Sequence, residues 1–317
     1  MYISKRPFRI SLFGGGTDYP EYFQKYGSQC IGGSINKYNS LNLQTDHFEK
    51  ENYILSFKET KKSLKINKIW HPVVKKFFEK HKVKRAKITY SADLIGRSGI
   101  GSSSSFTIGM IDLFNEIKNK NTPIKKLILE AYKFERHTLN NFIGIQDHIF
   151  CAQENFGIIN FKKKTKEISF SFEKIDSNDE RINYLNSNLI LFSTNIKRIS
   201  SNIEKDKILN LDKNIEYLHR IKNLTKIAIN VFKTGTMNHF LNLLNDYWYL
   251  KKNLSTKVTN PKIDEIIKEA REAGAISQKV VGSGGGGFIL FYCKKKNQTK
   301  LIKKLRKLKY FKIKYGK

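Results

Sequence analysis

Gly284-Gly285-Gly286-Gly287 stand in succession directly ahead of the apolar run Phe288 to Cys293. Ordering a glycine costs roughly 0.5–1 kcal/mol more than ordering an alanine. Four in a row are therefore hard to justify unless the backbone must pass very close to something. Two other stretches carry the same signature. Gly14-Gly15-Gly16 ends the alternating segment Ile3 to Phe13, where Phe8, Ile10 and Leu12 share one face and Arg9, Ser11 and Phe13 the other. Gly96-Arg97-Ser98-Gly99-Ile100-Gly101-Ser102-Ser103-Ser104-Ser105 joins a strand pattern at Lys87 to Ala92 to a helix pattern through Ile117. The composition supplies the interior that such turns need: 317 residues, 39% hydrophobic and 27% charged, exclude wholesale disorder.

Strand and helix patterns interleave along the whole chain, so a mixed α and β protein is expected. Ile124, Leu127, Ile128, Ala131 and Phe134 recur at helical spacing, with Pro123 placed as the first helical residue. Phe156 to Phe161 and Ile168 to Phe172 read as a hairpin about a Lys-rich turn. Segment 174–183 is polar and without period, which divides the chain into domains at 1–175 and 176–317. Beyond it come a strand at Leu189 to Ser193, helical patterns at 201–233, 236–254 and 261–273, the glycine loop and the strand Phe288 to Cys293. A short amphipathic helix (Leu301, Ile302, Leu305, Leu308) and a strand alternating Phe311, Ile313 and Tyr315 close the sequence.

The formal charge is +31, from 59 Lys and Arg against 28 Asp and Glu. Such a surplus draws anions. The basic residues are mostly lysines scattered among Asn and Ile rather than arginines interleaved with aromatics in a stripe, so no nucleic-acid partner is expected. No apolar run reaches the ~18 residues of a membrane helix, and no secretory signal is visible. Three widely separated cysteines, Cys30, Cys151 and Cys293, argue against a disulfide scaffold. The expectation is a cytoplasmic chain, monomer or homodimer, with no membrane partner.

The Gly96–Ser105 segment has the parts of a polyphosphate cradle. It offers residues without Cβ bulk, a helix start whose dipole favours anions, and hydroxyls that can cap the helix, bind phosphate or reach a metal. It is not a Walker loop, because no Gly-Lys-Ser/Thr follows. A plain Gly/Ser turn with a capping serine would look the same in isolation. Two acids stand out. Glu135 falls on the apolar stripe, four and seven residues after Ala131 and Ile128, and Asp147 shares a helical face with Ile143, Phe150 and Cys151. A carboxylate in such a place requires a partner or a metal.

Together the segments resemble the GHMP kinases, ATP-dependent small-molecule kinases. Motif one is Pro7-Phe8-Arg9-Ile10 through Gly14-Gly15-Gly16-Thr17-Asp18, motif two Gly99-Ile100-Gly101-Ser102-Ser103-Ser104, and motif three Gly282-Ser283-Gly284-Gly285-Gly286-Gly287. Val280 and Val281 stand where motif three usually has hydroxyl residues. Within the family, Gly14 to Asp18 with Ile145-Gln146-Asp147 and Thr194-Asn195-Ile196-Lys197-Arg198 are most similar to the heptose 7-phosphate kinase branch, which phosphorylates an anomeric oxygen on the way to nucleotide-activated heptose.

The resemblance implies an α+β fold of two domains, the first like ribosomal protein S5 domain 2 and the second ferredoxin-like, with the site between them. It implies ATP and Mg²⁺ as cofactors and a sugar phosphate as substrate. Asp147 matches the general base and Arg9 the cation beside it. Gly96, Ser98, Gly99, Ile100, Gly101, Ser102, Ser103 and Ser104 would hold the ATP phosphates, and Ser103 and Glu135 the metal. Gly15, Gly16, Thr17, Asp18, Arg198, Gly284 and Gly285 would contact the sugar. Lys197, Lys251 and Lys252 read as solvated lysines, and His148 as a packing or orienting residue. A fucose- or galactose-type kinase of the same family, or a catalytically silent sugar or nucleotide sensor, are the alternatives.

Overall fold

The computed structural model describes residues 1–96, 98–163, 167–196 and 200–316. Strand β1 (Tyr2–Phe13) turns Phe8, Ile10 and Leu12 into the core, all three fully buried. Helix α1 (Pro20–Tyr26) leads into β2 (Ser28–Gln44), the 17-residue strand that organises the first sheet. After it come β3 (Tyr53–Ser56), β4 (Thr60–Ser63), α2 (Pro72–Lys80), β5 (Ala86–Ala92), α3 (Ser102–Ile117), α4 (Ile124–Lys133), α5 (Gln146–Gln153), β6 (Phe156–Phe161) and β7 (Phe170–Ile175). The sheet order is β4-β3-β5-β2-β6-β7, with β1 on the other edge of β2. One edge of β2 thus serves β6 through Ser28–Gly33 and β5 through Asn39–Gln44, while the other serves β1.

Register shifts between Pro7 and Arg9 and between Ser11 and Phe13 bracket the middle of β1. Irregularities of this kind re-aim side chains out of the regular pleat. Helices α3 and α5 cover this part of the sheet, and α4 packs against both.

The second sheet, order β11-β8-β10-β9, is built from β8 (Leu189–Ser193), β9 (Ala275–Val280), β10 (Phe288–Cys293) and β11 (Tyr310–Phe311). Its helices are α6 (Glu180–Asn188), α7 (Ser200–Leu209), α8 (Ile215–Thr234), α9 (Met237–Lys252), α10 (Pro261–Glu272) and α11 (Gln298–Lys304). Helix α8 reaches β2, while α9 touches both β1 and β9. A single apolar cluster accordingly joins Phe8, Ile10 and Leu12 to Ile221, Phe240, Leu244 and Leu290. Among the described residues no helix is long and apolar enough to cross a membrane.

Several expectations are corrected. The 201–233 pattern is two helices, broken at Asn210–Asn214 by tight turn hydrogen bonds, with Asn214 Nδ2 donating to Leu254 O at 2.9 Å. Pro123 is the N-cap of α4 and lies outside the helix. Within segment 174–183, β7 runs to Ile175 and α6 starts behind Asp179, whose side chain accepts the Arg181 N–H. The final strand is only Tyr310–Phe311, after which Tyr315 bridges to Ile35 of the first sheet. Strand β2 carries too many Gly, Ser and Asn residues to read as a strand; partners on both edges and burial on both faces make it one.

Candidate active site

The three glycine segments meet. The Arg9 N–H donates to Ile100 O at 3.0 Å, joining β1 to the serine turn. Lys279 Nζ donates to Leu12 O at 2.7 Å, joining β9 to β1. At Gly287 (φ 80°) an added Cβ would sit 2.2 Å from Ser98 O, so the glycine run is what the serine turn packs against. Between them lies one cleft, lined by Arg9, Gly15, Gly16, Asp18, Gly99, Gly101, Ser102, Ser103, Ser104, Glu135 and Asp147.

Other residues expected at a ligand lie outside this lining. Ile100 is fully buried in the apolar core. Thr17 is buried and donates to Gly14 O at 2.8 Å, bracing the turn. Ser98 Oγ donates to Ile95 O. Gly284 and Gly285 back onto Val258, with the Gly285 N–H on Val258 O at 2.7 Å. Gly96 is solvent-exposed. Arg97, Lys197 and Arg198 are outside the described residues.

Arg9 and Asp147 form the centre of the cleft. Arg9 Nε donates to Asp147 Oδ1 at 2.8 Å, Nη2 donates to Oδ2, and Nη1 donates to Gly99 O at 2.6 Å. Burial opposes the Arg9 charge, but the facing carboxylate outweighs it and its pKa is raised. Asp147 is the second residue of α5, which begins at Gln146, so it shares a helical face with the buried Phe150 and Cys151 while Ile143 precedes the helix. The Asp147 side chain keeps 29% of its surface exposed. Each carboxylate oxygen has two lone pairs, so the fork of Arg9 leaves acceptor capacity for a ligand hydroxyl.

Asp18 is 3% exposed, accepting the Gly16 N–H at 2.9 Å and the Gln146 N–H at 3.3 Å. Burial and then the Asp147 charge push its pKa up to about 7, against the Gly16 N–H. Gly144 shapes this spot and carries no pattern signal, because its role depends on a side chain over a hundred residues away.

Glu135 lies in a π-helical turn, Phe134–Thr138, that continues α4. It is 1% exposed and accepts Ser103 Oγ at 2.8 Å on Oε2. His148 Nε2 approaches Oε1 at 3.3 Å without hydrogen-bond alignment, so that oxygen is a buried acceptor left unsatisfied. Among the described residues no Lys or Arg pairs with Glu135. A buried carboxylate beside a hydroxyl on a phosphate-type turn suits a hard cation with oxygen ligands. Among the described residues no group of three or more His, Cys, Asp or Glu could hold a metal.

Lys207, Lys251 and Lys279 also line the cleft. Lys251 is 4% exposed, a correction to its reading as solvated: its ammonium donates to Val280 O at 2.7 Å and Gly282 O at 2.6 Å. Lys207 donates to Ser283 O at 2.9 Å. Lys251 follows Leu244 and Tyr247 by seven and four residues, the same stripe signal that marked Glu135. Val280 and Val281 are fully buried, so neither presents its side chain to the cleft.

Residues 67–155 match the model of the GHMP kinases N terminal domain, and residues 228–310 that of the GHMP kinases C terminal. The chain is 30% identical to the D-glycero-alpha-D-manno-heptose 7-phosphate kinase of Campylobacter jejuni, across 96% of this chain and 93% of that one. The chain belongs to the GHMP kinase family. A galactokinase of Pyrococcus furiosus is 26% identical, with 89% of this chain and 86% of that one aligned. The fold of this GHMP kinase superposes with a TM-score of 0.77 on a D-glycero-D-manno-heptose 1-phosphate kinase of Bacteroides thetaiotaomicron, at 21% identity over 99% and 96% of the two chains. It is therefore an α+β, two-domain GHMP kinase fold, and the protein is an ATP-dependent kinase of sugar-type small molecules.

Proposed function

We propose that this kinase transfers the γ-phosphoryl group of ATP to the anomeric hydroxyl of D-glycero-D-manno-heptose 7-phosphate. The product, the 1,7-bisphosphate, would feed nucleotide-activated heptose for surface polysaccharide. The observation that carries the reading is the Arg9–Asp147 fork facing the same cleft as the Ser102–Ser104 turn. The named Campylobacter relative supports the choice of sugar.

The first turn of α3 favours the triphosphate through its N–H groups and the positive end of its dipole. Ser103 and Glu135 would hold Mg²⁺, which supplies charge neutralisation on the phosphates. Asp147 takes the anomeric proton as the sugar oxygen bonds to the γ-phosphorus and the bond to the ADP oxygen breaks. A positioned base of this kind contributes ~10²–10⁴-fold. Arg9 fixes the Asp147 carboxylate and offsets negative charge building on the sugar oxygen. Asp18 accepts a sugar hydroxyl beside Gly15 and Gly16. Residues 1–175 would bring the donor site and residues 176–317 close it.

The test is turnover of ATP with Mg²⁺ and a panel of heptose 7-phosphate, heptose, fucose and galactose, with the product read by phosphorus NMR. A doublet from an anomeric phosphate on the heptose 7-phosphate supports the reading. Faster transfer to fucose or galactose overturns it.

A further inference from the structure

Lys207, Lys251 and Lys279 bring three amino groups into the cleft that Asp18 also lines. Lys207 from α7 and Lys251 from α9 are anchored on the carbonyls of Ser283 and Gly282, neighbours in the glycine loop, at 2.9 and 2.6 Å. Lys279 from β9 is fixed on Leu12 O at 2.7 Å and lies 3.9 Å from the Tyr247 ring centroid. Tyr247 in turn donates to Gly15 O at 2.9 Å. All three lysines line the cleft and none is more than 6% exposed. Glu204 approaches Lys207 at 3.4 Å while also accepting Tyr19 Oη. Burial depresses the Lys279 pKa well below its ordinary value, and Arg9 and Lys207 push the same way.

Three ammonium groups from three elements, held by main-chain carbonyls in a buried wall, repel one another and are relieved by an anion. We propose that Lys207, Lys251 and Lys279 bind a phosphate ester carried by the sugar, remote from the hydroxyl that is phosphorylated, and so select phosphorylated over neutral sugars. The inference rests on the proposed reading that the donor triphosphate lies on the serine turn. The same ammonium groups could instead meet a donor phosphate, and the two sources separate kinetically.

The test compares wild type with Lys207→Gln and Lys251→Gln, using heptose 7-phosphate and the unphosphorylated heptose. Loss of one charge-assisted hydrogen bond should lower kcat/KM for heptose 7-phosphate by roughly 10–100-fold. The neutral heptose and the KM for ATP should be unchanged, and Lys207→Arg should restore part of the loss. Equal losses on both sugars, or a rise confined to the KM for ATP, overturn the proposal. A second measurement needs no turnover: inorganic phosphate is titrated calorimetrically into wild type and Lys207→Gln with a non-hydrolysable ATP analogue present. Binding that Lys207→Gln weakens supports the site even where heptose 7-phosphate is no substrate, and binding indifferent to Lys207→Gln overturns it. Should Lys251→Gln fail to fold, the Lys207 variants and this titration decide alone.

Discussion

Gly144 and Asp18 touch so closely that a Cβ at 144 would lie 1.9 Å from Asp18 Oδ2. The carboxylate cannot swing aside freely, because the Gly16 and Gln146 N–H groups hold it. Gly144→Ala should therefore displace Asp18 and raise the sugar KM by about tenfold or more, as the loss of a hydrogen bond to a charged group would. The KM for ATP should stay constant. Unchanged sugar kinetics would show that Asp18 does not contact the sugar.

Asp147→Asn keeps the shape of the side chain and removes the base. Turnover should fall by ~10²–10⁴-fold with ATP affinity retained. Arg9→Lys should also slow turnover, since one ammonium cannot reproduce the fork on Asp147 and the bond to Gly99 O together. Steady-state kinetics beside equilibrium nucleotide binding separates the two effects.

The raised pKa of Asp18, about 7, predicts a pH dependence with a definite sign. An ionised carboxylate accepts a sugar hydroxyl more strongly than the protonated acid does, so the sugar KM should rise as pH falls below 7. For stability the direction reverses. The folded value lies above the unfolded one, so the protonated group's contribution is complete below the ordinary aspartate pKa and is lost as pH rises through 7. Asp18→Asn should then raise the Tm at pH 8 while leaving it nearly unchanged near pH 4. A Tm difference independent of pH would refute the shift.

Glu135 is buried beside Ser103 with an unsatisfied oxygen. Glu135→Gln removes a charge that nothing cationic, among the described Lys and Arg side chains, offsets. The metal-free protein should gain thermal stability, while the Mg²⁺ concentration for half-maximal rate should rise by about tenfold or more, the worth of one charged ligand contact. A variant with wild-type Mg²⁺ dependence would remove Glu135 from the metal site.

Cys30, Cys151 and Cys293 are all free and buried. Burial raises each thiol, that of Cys293 to about 11. None should react with a thiol-specific disulfide reagent in the native protein, and all three should react after denaturation. Rapid modification of native protein would contradict the packing of β2, α5 and β10.

Much of the site was readable because its signals are local. Glycine runs declare tight backbone wherever they occur, helical spacing put Glu135 on an apolar stripe, and strand alternation gave Arg9 a face apart from Phe8 and Ile10. These depend on steric and periodic rules that act within a few residues. What lay beyond them depends on partners distant along the chain. Gly144 is specified by Asp18, Lys279 by a carbonyl of β1, and Lys251 by a loop some thirty residues on. Asp147 shares a helical face with Phe150 and Cys151, but its pairing with Arg9, 138 residues away, exists only in the folded chain. The break at Asn210–Asn214 is held by Leu254, and β2 is a strand because three others pair with it. Local sterics wrote the turns and stripes into the sequence, and only the folded chain, by desolvating polar groups and forcing each to find a partner, chose which residues meet.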